Sequence, residues 1–277
     1  MEEDWDNLII LDACRFDIFE EHCTLEGQLT RVISHGSTSS EFIDKNFNHG
    51  TFHDTVYISA NPHTDRTLDE SVFHAVIRSY NKDTFTDREL DELHPERIRQ
   101  IATEQYSNYN DKRIIVHFMQ PHAPYLGPHA ENIRKRLSEE GIEFVRQAGE
   151  RPDSVYKHLM EAARQDDVVD SESLQTCYVE NVNIVLREVE KLLQTFDGKT
   201  VVTADHGEML GEPEQAPSNG DVFSHPGQMY VPELRYVPWF VIESETRRRI
   251  RPEEPVQPEA VTKESVDRQL RALGYKP

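Results

Sequence analysis

The sequence predicts a layered α/β domain with a mostly parallel central sheet. Short apolar runs recur along the chain and several stop abruptly at a polar residue, as buried strands do at a sheet edge. Long segments with apolar residues on a helical period separate them, and strands alternating with helices build a parallel sheet covered by helices. The hydrophobic fraction of 36% over 277 residues is enough for one substantial core.

In chain order, Leu8 to Leu11 is an apolar run ending in Asp12. A second strand is expected around Arg31 to Ser34, followed by a hydroxyl cluster and a helix from Ser39 to Phe47. Val56 to Ser59 reads as a strand, Pro95 to Tyr106 as a helix with proline in its first turn, and Ile114 to Phe118 as a strand. The charged, helix-favouring stretch at about 130–170 reads as a helical excursion, a lid or a flank of the substrate site rather than a separate domain. Ser173 to Phe196 places Val182, Val185, Leu186, Val189, Leu192 and Leu193 on one helical face. Strands are expected at Thr200 to Thr203 and Tyr236 to Ile242. The proline-rich 251–258 should cross the surface as an extended arm, leading to a final helix from about Lys263 to Leu273 before Gly274. A single domain over 1–277 accommodates all of this, with no internal repeat.

Charge narrows the partners. A net charge of -21, from 51 acids against 30 bases, would repel a phosphate backbone, which argues against nucleic acid as a partner. Arginine outnumbers lysine 21 to 9, and an acidic, lysine-poor surface suits a protein working in high salt, as in a haloarchaeon; an ordinary acidic protein is the alternative. No apolar run approaches the roughly 20 residues that span a bilayer. The acidic start, Met1-Glu2-Glu3-Asp4-Trp5-Asp6, has no basic region leading into an apolar stretch, so a cytoplasmic protein without a transmembrane segment is expected. Cys14, Cys23 and Cys177 fit neither a disulfide framework nor a paired metal motif, in keeping with a reducing compartment.

Val201-Val202-Thr203-Ala204-Asp205-His206-Gly207-Glu208 is the most informative stretch, an apolar run delivering an acid and an imidazole to the sheet edge. Asp12 ends the first strand in the same way, so Asp12, Asp205 and His206 can converge on one cation. A nucleophile is available in Ser37-Thr38-Ser39-Ser40, at the amino end of a helix where backbone N–H groups favour anions. Plain N-capping by Thr38 or Ser39 is the competing explanation.

With these residues the chain resembles the alkaline phosphatase and sulfatase superfamily. Leu11-Asp12-Ala13-Cys14-Arg15-Phe16-Asp17 is similar to its amino-terminal metal motif, and Asp205-His206-Gly207-Glu208-Met209-Leu210-Gly211-Glu212 to its DHGE-LGE motif. Gln120-Pro121-His122-Ala123-Pro124-Tyr125 resembles the PHxPY segment. His225-Pro226-Gly227, Val231 to Pro238 and Leu270 to Tyr275 resemble later family segments. The hydroxyl cluster is most like the threonine segment of the phosphoglycerol transferases.

The resemblance implies a three-layer α/β/α sandwich of the alkaline phosphatase-like kind and a metal-dependent hydrolase or transferase. Its substrate would be a phosphate ester, small, glycan-linked or lipid-linked. A sulfate ester hydrolase of the same fold, or a silent metal-binding relative, is the alternative. Carried over by residue, Asp12, Asp205 and His206 are metal ligands, and Thr38 is both ligand and nucleophile, passing through a covalent intermediate. His122 and His225 contact substrate oxygens or bind a weak second ion. Arg15 either pairs with an acid such as Asp17 or binds substrate oxygens through its planar fork. Glu208 orients a ligand, and Tyr178 and Asn181 pack beside the site.

Two departures refine this. The residues after Ser37 and Thr38 lack the proline or arginine of formylglycine sulfatases, which counts against sulfatase chemistry. Asp12 is followed by Ala13 rather than a second aspartate, and Phe118 stands where a two-zinc site has a carboxylate. One divalent ion is therefore expected, zinc or manganese in preference to magnesium or calcium.

Overall fold

A computed structural model describes residues 3–80, 94–144, 155–156, 159–160, 163, 169–213 and 221–256. Its centre is a seven-stranded sheet of β1 (Asn7–Asp12), β2 (Gln28–Ile33), β3 (Phe52–Ser59), β4 (Phe73–Arg78), β5 (Arg113–Pro121), β8 (Thr200–Ala204) and β11 (Tyr236–Ile242). Their order across the sheet is β2-β11-β8-β1-β5-β3-β4. β1 pairs in parallel with β5 and β8, and β3 with β4 and β5. Only β11 runs the other way, antiparallel to both β2 and β8.

The pleat sorts β1 onto two faces. Ile9 and Leu11 join Val56, Ile58, Ile114, Val116 and Val202 beneath one helical layer. That layer holds α1 (Phe16–His22), α4 (Pro95–Asn108), α5 (Pro128–Glu139) and the long α6 (Ser171–Leu193). Leu8 and Ile10 face the opposite layer with Tyr57, Ile115 and Val201, against Phe42, Ile43 and Phe47 of α2 (Ser39–Phe47). Helices on both faces explain why β1, β5 and β8 read as continuous apolar runs. On α6, Val182, Val185, Val189 and Leu192 are all fully buried, each worth about 1.5–3 kcal/mol against exposure.

α2 begins and ends where the sequence placed it, and α6 begins two residues earlier and ends three earlier than expected. Short helices α3 (His63–Thr67) and α7 (Pro232–Arg235) and a 3-10 turn at Glu70–Val72 are also present. β4 and the hairpin of β9 (Met209–Pro213) with β10 (Asp221–Ser224) were not anticipated. Within the excursion, α5 is followed by a two-residue parallel pairing of β6 (Glu143–Phe144) with β7 (Val155–Tyr156); most of 145–168 lies outside the described residues. Residues 251–256 do lie across the molecule, the amides of Arg251, Glu253 and Val256 donating to the carbonyls of Asp111, His53 and His74. The expected final helix also falls outside the described residues. No described helix is long and apolar enough to cross a membrane.

Candidate active site

Three central parallel strands deliver their carboxyl ends to one place, as open α/β sheets do. Asp12 closes β1, Asp205 and His206 follow β8, and His122 follows β5. Leu11 is in register with Ala204, and an irregularity in pairing brings Asp12 beside Pro121. The His122 amide donates to the Asp12 carbonyl at 3.0 Å. Ala13 then turns the chain with φ 61°, a left-handed conformation that costs a non-glycine residue strain. Its amide donates to Asp205 Oδ1 at 3.0 Å, and Tyr178 Oη donates to its carbonyl at 2.6 Å.

Asp12, Asp205 and His206 come together in a buried cluster, as the sequence implied. His206 Nε2 lies 3.5 Å from both Asp12 Oδ1 and Asp205 Oδ2. Its Nδ1 sits 2.7 Å from the Gly207 carbonyl, which can only accept, so the proton is on Nδ1 and Nε2 presents a lone pair inward. Gly207 is needed for this close approach: a Cβ there would stand 1.9 Å from the Glu233 carbonyl oxygen.

The electrostatics call for a positive charge. Burial, then the neighbouring Asp205, pushes the Asp12 carboxyl well above its ordinary pKa. Burial works against Asp205 too, but the facing histidines outweigh it and hold that group below the usual range. Burial drives His206 down to about 4, leaving it neutral and a competent ligand. Asp12 Oδ1 and Asp205 Oδ2 are buried without a hydrogen-bond partner, a costly arrangement for carboxylates unless a cation meets them. On that ground the donor set fits a divalent ion.

Two residues in this cluster were missed by the sequence reading. Asn61, just after β3, donates through Nδ2 to Asp12 Oδ2 at 2.7 Å and to Ser39 Oγ at 2.9 Å. His117 lies inside β5, fully buried, with Nε2 3.6 Å from Asp205 Oδ2. A loop asparagine gives no periodic signal. His117 did leave one, as the lone polar residue within Ile114-Ile115-Val116-His117-Phe118.

The hydroxyl cluster resolves differently from expectation. Thr38 has extended backbone, φ -141° and ψ 157°, and its Oγ1 accepts the Glu41 amide at 3.2 Å, which makes it the N-cap of α2. Ser37 Oγ donates to the Pro226 carbonyl at 3.0 Å. It is Ser39 that faces the carboxylates, with Oγ 3.3 Å from His206 Nε2 and 3.5 Å from Asp12 Oδ2. Thr38 is therefore not the hydroxyl that the structure brings to Asp12 and His206, because its side chain is committed to the helix start.

Beside this cluster lies a second one. His225 Nδ1 is 2.9 Å from the buried Glu208 Oε1, and its ring centroid is 5.0 Å from that of His122 and 4.5 Å from that of His206. Burial opposes a charge on His225, but Glu208 outweighs it and raises the imidazole above its ordinary pKa. His122, Glu208 and His225 have ligand atoms close enough to share an ion.

Arg15 commits its guanidinium to carboxylates beside these groups. It holds Asp17 at 2.6 Å, contacts Glu212, and donates to the Glu208 carbonyl at 3.4 Å. Burial disfavours its charge, and the carboxylates of Asp17 and Glu212 more than restore it. Of the two roles open to it in sequence, the geometry matches the ion pair, which ties the start of α1 to β9. Asn181 accepts from the Leu126 amide and donates to the Pro121, His122 and Pro124 carbonyls, so it braces the loop that carries His122.

No family model matches the chain, and no curated protein matches it in sequence. Solved structures do match. The C-terminal periplasmic domain of phosphoethanolamine transferase EptC from Campylobacter jejuni is 13% identical with a TM-score of 0.51, covering 86% of this chain and 78% of that one. The zinc complex of the C-terminal periplasmic domain of EcEptC from Escherichia coli is 14% identical with a TM-score of 0.50, over 86% and 72%. A putative sulfatase from Bacteroides thetaiotaomicron is 12% identical with a TM-score of 0.49, over 91% and 66%. The two transferase domains share this chain's fold.

Proposed function

We propose that this chain, which carries the alkaline phosphatase-like fold, is a metal-dependent hydrolase or transferase of phosphate esters with Ser39 as its nucleophile. The observation that carries this reading is the position of Ser39 Oγ, at the amino end of α2 and within 3.5 Å of both Asp12 and His206. A binding protein has no need of a hydroxyl there. Asp12, Asp205 and His206 would hold the ion; when bound, it lowers the pKa of an adjacent hydroxyl and offsets charge on ester oxygens.

The residues supply the rest. Asn61 fixes both Asp12 Oδ2 and Ser39 Oγ through one amide, so nucleophile and ligand keep a common geometry. The amide end of α2 favours the anionic ester. His225, whose pKa Glu208 raises, would give a proton to the departing alcohol oxygen, with His122 beside it to bind the transferring group. Ser39 attacks phosphorus, the bond to the leaving alcohol breaks, and water or a second alcohol then releases the phosphoryl group from Ser39. The segment after Ser39, Ser40-Glu41-Phe42, lacks the formylglycine pattern, which favours phosphate over sulfate. A cytoplasmic location belongs to the same proposal, supported by three cysteines that are all unpaired.

The test is turnover of aryl phosphate mono- and diesters, phosphonates and sulfates with Zn2+ or Mn2+. Ser39→Ala should lower kcat by on the order of 10^4 or more. Thr38→Ala should cost only about 1 kcal/mol of stability through the lost cap and leave kcat near wild type. A Ser39→Ala enzyme with normal turnover overturns the proposal.

A further inference from the structure

The geometry points to His117 as a fourth protein ligand of the same ion, making the site Asp12, His117, Asp205 and His206; this rests on the metal reading above. His117 Nε2 is buried with no hydrogen-bond partner, as are Asp12 Oδ1 and Asp205 Oδ2, and the ligand atoms of these three residues all lie within 4.8 Å of one another. A histidine placed for structure alone would donate to Asp205, but the 3.6 Å separation of Nε2 from Oδ2 is too long for a hydrogen bond.

Those separations suit ligands converging on one ion. Bonds of about 2.0–2.2 Å at tetrahedral angles place ligand atoms about 3.3–3.6 Å apart. Three of the six edges of such a four-ligand set fall in or next to this range: 3.6 Å for His117 to Asp205, 3.5 Å for His206 to Asp205 and 3.5 Å for His206 to Asp12. The tautomer a ligand requires is open to His117. Its Nδ1 lies 2.6 Å from Tyr57 Oη, which has lone pairs to accept a hydrogen. His117 Nδ1–H can thus donate to Tyr57, leaving the Nε2 lone pair for the ion. Tyr57 is itself fixed by stacking on Phe73 at 5.3 Å. Two imidazoles and two carboxylates select a borderline transition ion over magnesium or calcium, and Ser39 Oγ is left to enter as the additional, reactive position.

The experiment is titration of the purified full chain with Zn2+ alone, comparing wild type with His117→Gln, Tyr57→Phe and Asp205→Asn. His117→Gln should weaken Zn2+ binding by more than about 100-fold, and Tyr57→Phe, which acts through His117, by about 10–100-fold. If His117→Gln bound Zn2+ like wild type while Asp205→Asn lost it, His117 would not be a ligand and the metal reading would stand. If Asp205→Asn also bound like wild type, the metal reading itself would fall. Should His117→Gln fail to fold, 15N-histidine spectra of wild type with one equivalent of Zn2+ decide. Metal-induced shifts at Nε2 of both His117 and His206 are expected; a shift at His206 without His117 overturns the inference.

Discussion

The two clusters at the sheet edge differ in how they settle their own polar atoms. In the Asp12, His117, Asp205 and His206 cluster, three buried ligand atoms have no hydrogen-bond partner, and the histidine-to-carboxylate separations of 3.5 and 3.6 Å are longer than ordinary hydrogen bonds. In the neighbouring cluster, Glu208 and His225 satisfy each other at 2.9 Å, and His225 keeps 19% of its side chain exposed. On the proposed reading the first set takes a cation, while in the second Glu208 raises the pKa of His225 so that it supplies a proton; the difference rests on one set being fully desolvated and internally unpaired.

The largest expected effect separates the clusters directly. Asp205→Asn removes a charged ligand and should abolish tight Zn2+ binding, by more than about 100-fold, together with turnover. Glu208→Gln should leave Zn2+ affinity at the first site unchanged. Parallel titrations check both, and equal losses would dissolve the distinction.

Next in size is Gly207→Ala. Its Cβ would fall 1.9 Å from the Glu233 oxygen, and relief requires moving the turn that fixes His206. A loss of about 3 kcal/mol is expected in urea unfolding, with weakened Zn2+ binding.

Glu208→Gln sharpens the comparison from the other side. It should slow esters with poor leaving groups by about 10^2-fold and spare activated aryl esters, whose oxygen needs no proton. Because Glu208 raises the folded-state pKa of His225 above about 6.5, the acid form persists above that pH and the rate falls as pH rises through the folded value. The variant's fall should come at lower pH. Stability follows the same sign: the pair's contribution is complete below about 6.5 and is lost as pH rises through the folded pKa of His225. A pH profile that is identical in wild type and variant would contradict the pairing.

How far the sequence carried this account depended on burial. β1, β5 and β8 are covered on both sides, so their apolar runs and terminal acids stood out, and with them Asp12, Asp205 and His206. β4 is an edge strand with four half-buried residues, and β9 contains Gly211, Glu212 and Pro213, so neither carries a strand-like pattern. Among Ser37, Thr38 and Ser39 any residue can cap a helix. The choice is made by the extended backbone of Thr38, which turns its own hydroxyl to Glu41 and swings Ser39 toward Asp12. Asn61 reaches the site from a loop with no periodic signal, and His117, a lone polar residue in an apolar run, is brought there by its register opposite Ile10 and Ser59 on neighbouring strands. Arg15 shows the converse: its motif left an ion pair and a substrate role equally open, and Asp17 and Glu212 claim its guanidinium.

The central claim is that the unpaired cluster exists to activate Ser39. Acid-quenched enzyme, loaded with Zn2+ and mixed with an aryl phosphate, should yield a single phosphorylated peptide on mass spectrometry. The phosphoryl group should sit on Ser39 in wild type and Thr38→Ala, and be missing from Ser39→Ala and Asp205→Asn. Phosphorylation at Thr38, or burst-phase turnover with an unmodified Ser39, would contradict the account.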